Sequence, residues 1–287
     1  MAASCISYVV VYLTCVSATT AFFLRQRRIV GGEPLRPGAW PWLVSLNYKQ
    51  HHPYLELQGL QHLCGGTLIS PLWVLTAAHC VHFASGSPGL GDPNNWIAVL
   101  GEYNRTMTED SEQRIDVDGI FLKNYTLFPR FSEDIALLKL KSPARLTNSV
   151  RPVSLDMGRR ISPGTPCQSA GWGQHAPDDI GEPQYGNGTI IPNTVVVRRI
   201  PQERCKEIYK DMWPMIDHRV LCFSSNSSQD TCKGDSGGPL ICRYGRGHPV
   251  LMGIVSVGMG CALEDYPGIY TRVSSFKDWI IETMACN

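Results

Sequence analysis

An antiparallel all-β fold with one C-terminal helix is what this sequence predicts, and three observations predict it. Apolar segments are short and rich in Val, Ile, Leu and Trp; Gly, Pro, Asn and Asp separate them; and one stretch, at the C-terminus, carries helical periodicity. The segments are Trp42 to Leu46, Gly66 to Ile69, Trp73 to Thr76, Trp96 to Leu100, Ile135 to Leu140, Thr194 to Val197 and Leu251 to Val257. In the helical stretch Ser274 or Ser275 is placed to cap a run that sets Phe276, Trp279, Ile280 and Thr283 at helical spacing. Turn-rich stretches at Lys49 to Gln61, Phe83 to Asn95 and His175 to Asn193 read as three surface loops around one core.

The 287 residues are 43% hydrophobic and 18% charged, enough apolar material for a packed core and too little charge for a disordered chain. Lys plus Arg total 26 against 25 Asp plus Glu, and three of the arginines lie in the first 28 residues, which hold no acid. The remainder is slightly acidic, so nucleic acid is not an expected partner. Eleven cysteines point to an oxidising compartment. From Cys5 to Leu24 the chain is uncharged, with an apolar middle (Ile6 to Leu13) giving way to small residues at Ala18 to Ala21. Residues 1–21 therefore read as a secretory signal and 22–28 as a short propeptide, which makes the protein secreted and extracellular. The alternative is an uncleaved signal-anchor, the one way this reading allows a membrane. Arg25-Gln26-Arg27-Arg28 then meets Ile29-Val30-Gly31-Gly32, a shift from basic to apolar that marks a cleavage point.

Peptide-bond hydrolysis by an alcohol needs a serine, an imidazole to take its proton, a carboxylate to orient the imidazole, and N–H donors for the oxyanion. Ser236 sits in Gly234-Asp235-Ser236-Gly237-Gly238-Pro239, where glycines permit a sharp turn that exposes a nucleophile. His79 lies in Leu75-Thr76-Ala77-Ala78-His79-Cys80, and Asp134 opens Asp134-Ile135-Ala136-Leu137-Leu138, an acid expected to be half buried before an apolar strand. Each motif alone is weak. In the order His, Asp, Ser, behind an Ile29-Val30-Gly31-Gly32 start, the sequence resembles the chymotrypsin-like (trypsin-type) serine peptidase family from Ile29 to about Ile281.

The resemblance implies two perpendicular six-stranded antiparallel β-barrels within 29–287, divided near 145–160, with His79 and Asp134 from the first and Ser236 from the second. It implies a serine endopeptidase acting on protein or peptide substrates and open to protein protease inhibitors, with no cofactor for catalysis. The backbone N–H groups of Gly234 and Ser236 would form the oxyanion hole, and Ser256 would support Asp134. Asp230, six residues before the nucleophile, stands at the pocket base, with Gly258 and Gly268 at its walls, so cleavage after Arg or Lys is implied. Val257 replaces the family's usual tryptophan, and Lys233 stands at the rim where glutamine is frequent, an extra cation expected to favour acidic residues on the leaving side. The rivals are a protease with chymotrypsin-like preference, opposed by Asp230, and a non-catalytic binding module, opposed by the complete constellation.

The family also implies a zymogen in which cleavage after Arg28 frees the Ile29 ammonium to pair with Asp235. The activating protease is furin-like if Arg25 to Arg28 is read as a run, trypsin-like if Arg28 is read alone. Eight cysteines match the family's disulfides, implying Cys64 to Cys80, Cys167 to Cys242, Cys205 to Cys222 and Cys232 to Cys261, a choice that spacing alone does not make. Cys286 is then left over. Residues 101–113 resemble the family's calcium loop, with the carboxylates of Glu102, Glu109 and Glu112 and the carbonyls of Asn104 and Met107 as oxygen donors; the alternative is a solvated acidic loop. Sequons begin at Asn104, Asn124, Asn187 and Asn226, making a glycoprotein expected. The other histidines, His51, His52, His62, His82, His175, His218 and His248, lack zinc-site pairing and read as surface residues.

Overall fold

The computed structural model describes residues 32–49, 61–82, 88–125, 133–173, 188–211, 216–225, 234–245, 247–258 and 265–287. Signal, propeptide and cleavage point lie outside them. The first barrel comprises β2 (Leu43–Tyr48), β3 (Gln61–Ser70), β4 (Trp73–Thr76), β5 (Trp96–Leu100), β6 (Gln113–Leu122) and β7 (Ala136–Leu140), after a two-residue β1 (Glu33–Pro34). It closes in the order β2-β3-β4-β7-β6-β5, with every neighbour antiparallel. After β8 (Ser154–Leu155), the second barrel comprises β9 (Pro166–Gly171), β10 (Asn193–Arg199), β11 (Val220–Ser224), β12 (Pro239–Arg243), β13 (Pro249–Val257) and β14 (Gly268–Arg272). Its path β10-β11-β14-β13-β12-β9 closes because β9 also pairs with β10. Closure leaves neither barrel a free edge among these strands, which removes the usual template for aggregation.

Alternation decides which side chains fill each barrel. Along β10, Val195 and Val197 are buried while Val196 and Arg198 face out. Strand β2 is buried on both faces. Val44, Leu46 and Tyr48 join the core of the first barrel, whereas Leu43 packs with Ala170 and Trp172 of the second. The two barrels thus share a dry boundary, and β1 strengthens it by carrying the N-terminal segment across to pair with Thr194 of β10. Each fully buried large apolar side chain contributes about 1.5–3 kcal/mol by leaving water.

Short helices complete the chain: α1 (Ala78–Val81), α2 (Gln202–Tyr209) and α3 (Lys277–Cys286). The capping expectation for the last is corrected. A 3-10 turn over Val273–Phe276 precedes α3, Phe276 holds the cap position without a side-chain bond, and Ser275 Oγ instead donates to the His218 carbonyl at 3.3 Å. Phe276 and Ile280 are buried in the first barrel's cluster as their spacing predicts. Part of the expected 83–95 excursion is packed: Pro88–Gly91 and Pro93–Asn95 are 3-10 turns, and the buried Trp96 indole donates to the Leu90 carbonyl at 2.8 Å. Among the described residues no helix is long and apolar enough to cross a membrane.

Disulfides Cys64–Cys80, Cys167–Cys242 and Cys205–Cys222 are present. Cys286 is free and exposed. Cys232 and Cys261 lie outside the described residues.

Candidate active site

Strand β4 ends at Thr76, and the extended Ala77 leads into the single turn of α1 that carries His79. Asp134 lies just before β7, and Ser256 lies on β13 of the other barrel. These three form one line. His79 Nδ1 donates to Asp134 Oδ2 at 2.8 Å, the His79 backbone N–H donates to Oδ1 at 2.8 Å, and Ser256 Oγ donates to Oδ2 at 2.6 Å. Thr271 Oγ1 holds the Asp134 carbonyl at 2.8 Å. Asp134 is 0% exposed. The expectation of a half-buried acid is therefore corrected: four hydrogen bonds satisfy the residue, so water is not required.

Burial alone would raise the Asp134 carboxyl, but the adjoining imidazole and the bonds from His79 and Ser256 outweigh it and hold the group below its ordinary value. For His79 burial opposes the charge, and the Asp134 carboxylate overcomes it, so the imidazole sits above its ordinary value. The two shifts agree: each partner favours the charged form of the other.

Ser236 stands in a turn that only glycines can frame. Gly234 has φ +95° and Gly237 φ +77°, both in the left-handed region. A Cβ on Gly237 would overlap Thr76 Oγ1 and approach the Gly65 carbonyl to 2.6 Å. The turn is bonded to both barrels, since Gly65 N–H donates to the Ser236 carbonyl at 2.7 Å and Gly237 N–H donates to that of Val255 at 2.8 Å. Thr76 is three residues before His79, so this packing sets Ser236 against the His79 end of β4. The Cys64–Cys80 disulfide lies alongside, with Cys80 Sγ 3.8 Å from His79 Nε2. Asp235 is fully buried; its Oδ1 accepts from the Gly173 N–H at 3.0 Å, and a Cβ on Gly171 or Gly173 would overlap its carboxylate.

His62 is a second correction. Its reading as a surface residue fails because it lies on β3 with both ring nitrogens engaged. His62 Nε2 donates to the Gly234 carbonyl at 2.9 Å, and Ser45 Oγ donates to Nδ1 at 2.8 Å. Asn47 Nδ2 in turn donates to Ser45 Oγ at 2.8 Å. Burial, followed by the positive charge of Arg105, pulls the His62 pKa down to about 3, so the ring is neutral and its one proton belongs on Nε2. The imidazole thereby latches the peptide that follows Gly234, the expected first oxyanion donor. A register shift between Leu46 and Asn47 breaks the alternation of β3 between His62 and Cys64, so spacing along the strand gave no signal of where His62 faces. With the latch removed, His62→Ala is expected to lower kcat by about 10- to 100-fold with little change in KM, a share of the 10² to 10³ such donors supply. Steady-state kinetics on a peptide anilide checks it.

Of the pocket residues, Gly268 is buried at the start of β14, Gly258 is exposed past the end of β13, and Val257 is half-buried beside the Cys205–Cys222 cluster. Asp230, Lys233, Arg28 and Ile29 lie outside the described residues.

The five calcium candidates divide. Glu102 lies within electrostatic reach of Glu112. Burial first, then the Glu112 carboxylate, raise Glu102 above its ordinary value against the charges of Arg105 and Arg114, and Glu102 Oε2 is buried without a partner. An orphaned carboxylate oxygen beside a second acid fits a hard cation. Glu109 serves the loop instead: its Oε2 accepts the N–H groups of Tyr103 at 2.6 Å and Asn104 at 3.0 Å. The Asn104 carbonyl accepts from Met107 N–H at 3.2 Å, and Glu112 is also paired with Arg114.

A serine in a glycine-framed turn packed on Thr76, and an aspartate-held imidazole three residues past that threonine, lie on two closed six-stranded barrels. The family model described as Trypsin matches residues 29–280. The chain belongs to that family and is a serine peptidase.

Proposed function

We propose that this chain is a secreted serine endopeptidase that cleaves after Arg or Lys, made as a zymogen and activated by cleavage after Arg28. The observation that carries the catalytic part is the hydrogen-bonded line Ser256–Asp134–His79, together with the Ser236 turn packed on Thr76, the end of the strand that leads to His79. Ser236 Oγ attacks the scissile carbonyl carbon while His79 Nε2 takes its proton. The imidazolium so formed is stabilised by Asp134, whose two oxygens already hold His79 by ring and backbone. Negative charge on the carbonyl oxygen meets the N–H groups of Gly234 and Ser236. Collapse of the adduct expels the amine, which leaves with the proton from His79, and water then hydrolyses the acyl-enzyme by the same steps in reverse roles. A burst of acyl-enzyme with an arginine ester, absent in the uncleaved precursor, is the expected result; correctly processed protein without a burst would return the chain to the binding-module reading.

Specificity is supported by Asp230 at its offset from Ser236, with the small Gly258 and Gly268 leaving room for a long side chain. Asp230→Ala is expected to lower kcat/KM for Arg and Lys substrates by about a thousandfold, as loss of one partner of a buried ion pair does. A peptide library read with wild type, this variant and Lys233→Gln measures it, and equal acidic preferences in wild type and Lys233→Gln would remove the role proposed for Lys233.

Activation is supported by the full burial of Asp235, which suits a carboxylate that receives the Ile29 ammonium. A furin-like or trypsin-like protease supplies the cut, and protein inhibitors that present Arg or Lys are the expected antagonists. Glu102 and Glu112 would hold a structural calcium ion, which supplies charge neutralisation and no chemistry. Millimolar calcium is then expected to raise the melting temperature over chelator, and unchanged melting would remove the ion.

A further inference from the structure

The inward-facing positions of the second barrel are apolar until its mouth, where they become charged. On β10, Val195 and Val197 are followed by Arg199, and on β14 Tyr270 is followed by Arg272, each keeping the inward alternation. Arg199 is 9% exposed, and its Nε and Nη1 have no partner; Arg272 Nε is likewise buried without one. Tyr244, one residue past β12, adds a buried hydroxyl with no partner. The one acid of this group is Asp156, 1% exposed, whose Oδ1 accepts from Arg159 N–H at 3.0 Å while Oδ2 is unpartnered. This group thus carries two guanidinium charges against one carboxylate, whose charge acts on Arg272, and four unpaired donor atoms against one unpaired acceptor atom.

That imbalance costs free energy. Burial first, and the Arg272 charge second, weaken the hold of Arg199 on its proton; Arg272 feels the same burial, offset by Asp156. Water fills hydrogen bonds but leaves the excess positive charge, whereas an anion answers both. The rim is basic as well. Arg159 lies 5.1 Å over the Tyr244 ring, Arg198 reaches the Gly164 carbonyl, and Arg159, Arg198 and Arg243 are exposed.

We propose that the mouth of the second barrel binds a compact oxyanion, a sulfate or phosphate group, held between Arg199 and Arg272. Three guanidinium N–H positions and the Tyr244 hydroxyl offer it four donors, and the Asp156 carboxylate offsets only part of the positive charge. The group is either a free inorganic ion or the sulfo group of a sulfated polysaccharide steered in by the exposed arginines.

Thermal melting of the secreted, full-length protein in sodium sulfate and in sodium chloride of equal ionic strength tests this. In wild type the sulfate curve is expected to rise by roughly 3–6 °C for each tenfold increase above the dissociation constant. In Arg199→Met only the general salting effect, shared by any folded protein, should be left. Arg272→Gln is the second variant, read in the same way should the first not fold, and peptidase activity of either variant should match wild type. Immobilised heparin separates the sources: later elution of wild type than of Arg199→Met identifies a polysaccharide, while equal elution with a variant-sensitive sulfate shift identifies the free ion. A sulfate-over-chloride shift that is absent in wild type, or equal in wild type and variant, overturns the proposal.

Discussion

Ser236→Ala, processed to the same N-terminus as wild type, is expected to lose about a millionfold in kcat, the scale on which removing the nucleophile of a triad is measured. No neighbour can replace the missing oxygen. Thr76 Oγ1 is the nearest hydroxyl fixed in the packing around the turn, and it donates to the Gly65 carbonyl at 2.8 Å. The turn itself should survive, because its bonds to Gly65 and Val255 are made by main-chain atoms that the substitution leaves in place. The variant is therefore expected to keep its melting temperature and its affinity for a substrate-like inhibitor while losing the ester burst. Ester turnover within tenfold of wild type would mean that another group is the nucleophile and would end the assignment of Ser236.

Asp134→Asn is expected to cost about 10⁴ in kcat, as the corresponding loss of charge does in triads of this kind. The geometry gives the reason. Both carboxylate oxygens accept, Oδ1 from the His79 backbone and Oδ2 from the ring and Ser256. An amide must turn its NH2 toward one of these donors. Facing the ring, it makes Nδ1 an acceptor and moves the imidazole proton to Nε2, where no proton from Ser236 can be received; facing the backbone, it breaks the bond that seats α1. The pH profile follows from the same pair. Catalysis needs His79 neutral, so kcat/KM rises with pH through the His79 pKa, and the Asp134 carboxylate places that rise above 6.5. In Asp134→Asn burial is left without its counterweight, and the residual activity should rise at lower pH than in wild type. The stability signs are opposite for the two groups. The raised His79 contributes stability that is full below the unfolded pKa and lost as pH climbs through the folded one; the lowered Asp134 contributes stability that is lost as pH falls through its folded pKa. Rate profiles of both proteins, with the ring nitrogens of His79 followed by NMR, check the tautomer and the shift together.

Strand positions and the turn around Ser236 were legible because they depend on local pattern. Trp73 to Thr76 and Trp96 to Leu100 are strands with the bounds their apolar runs suggest, since a buried strand must be apolar and turns must flank it. The Gly234 to Pro239 run announced a turn because no other residues accept those backbone angles. Where reading failed, a distant partner decided the matter. Asp134 read as a half-buried acid, yet Ser256 and Thr271, more than a hundred residues away, supply the bonds that allow it to be fully buried. His62 looked like a loop histidine until Gly234, 172 residues on, took its proton donor. Ser275 looked like a helix cap and was claimed by the His218 carbonyl.

By itself, the sequence determined short apolar strands and a glycine-framed turn, because apolar alternation and glycine angles are local properties, and its resemblance to a known family supplied the two barrels and the serine peptidase class. Only the tertiary structure decided the charge state of His62, the full burial of Asp134, the different surroundings of Glu102 and Glu109 in the acidic loop, and the charged mouth of the second barrel. Each of those depends on which groups from remote strands share a low-dielectric space, and energies there are set by burial and by the nearest partner rather than by residue type.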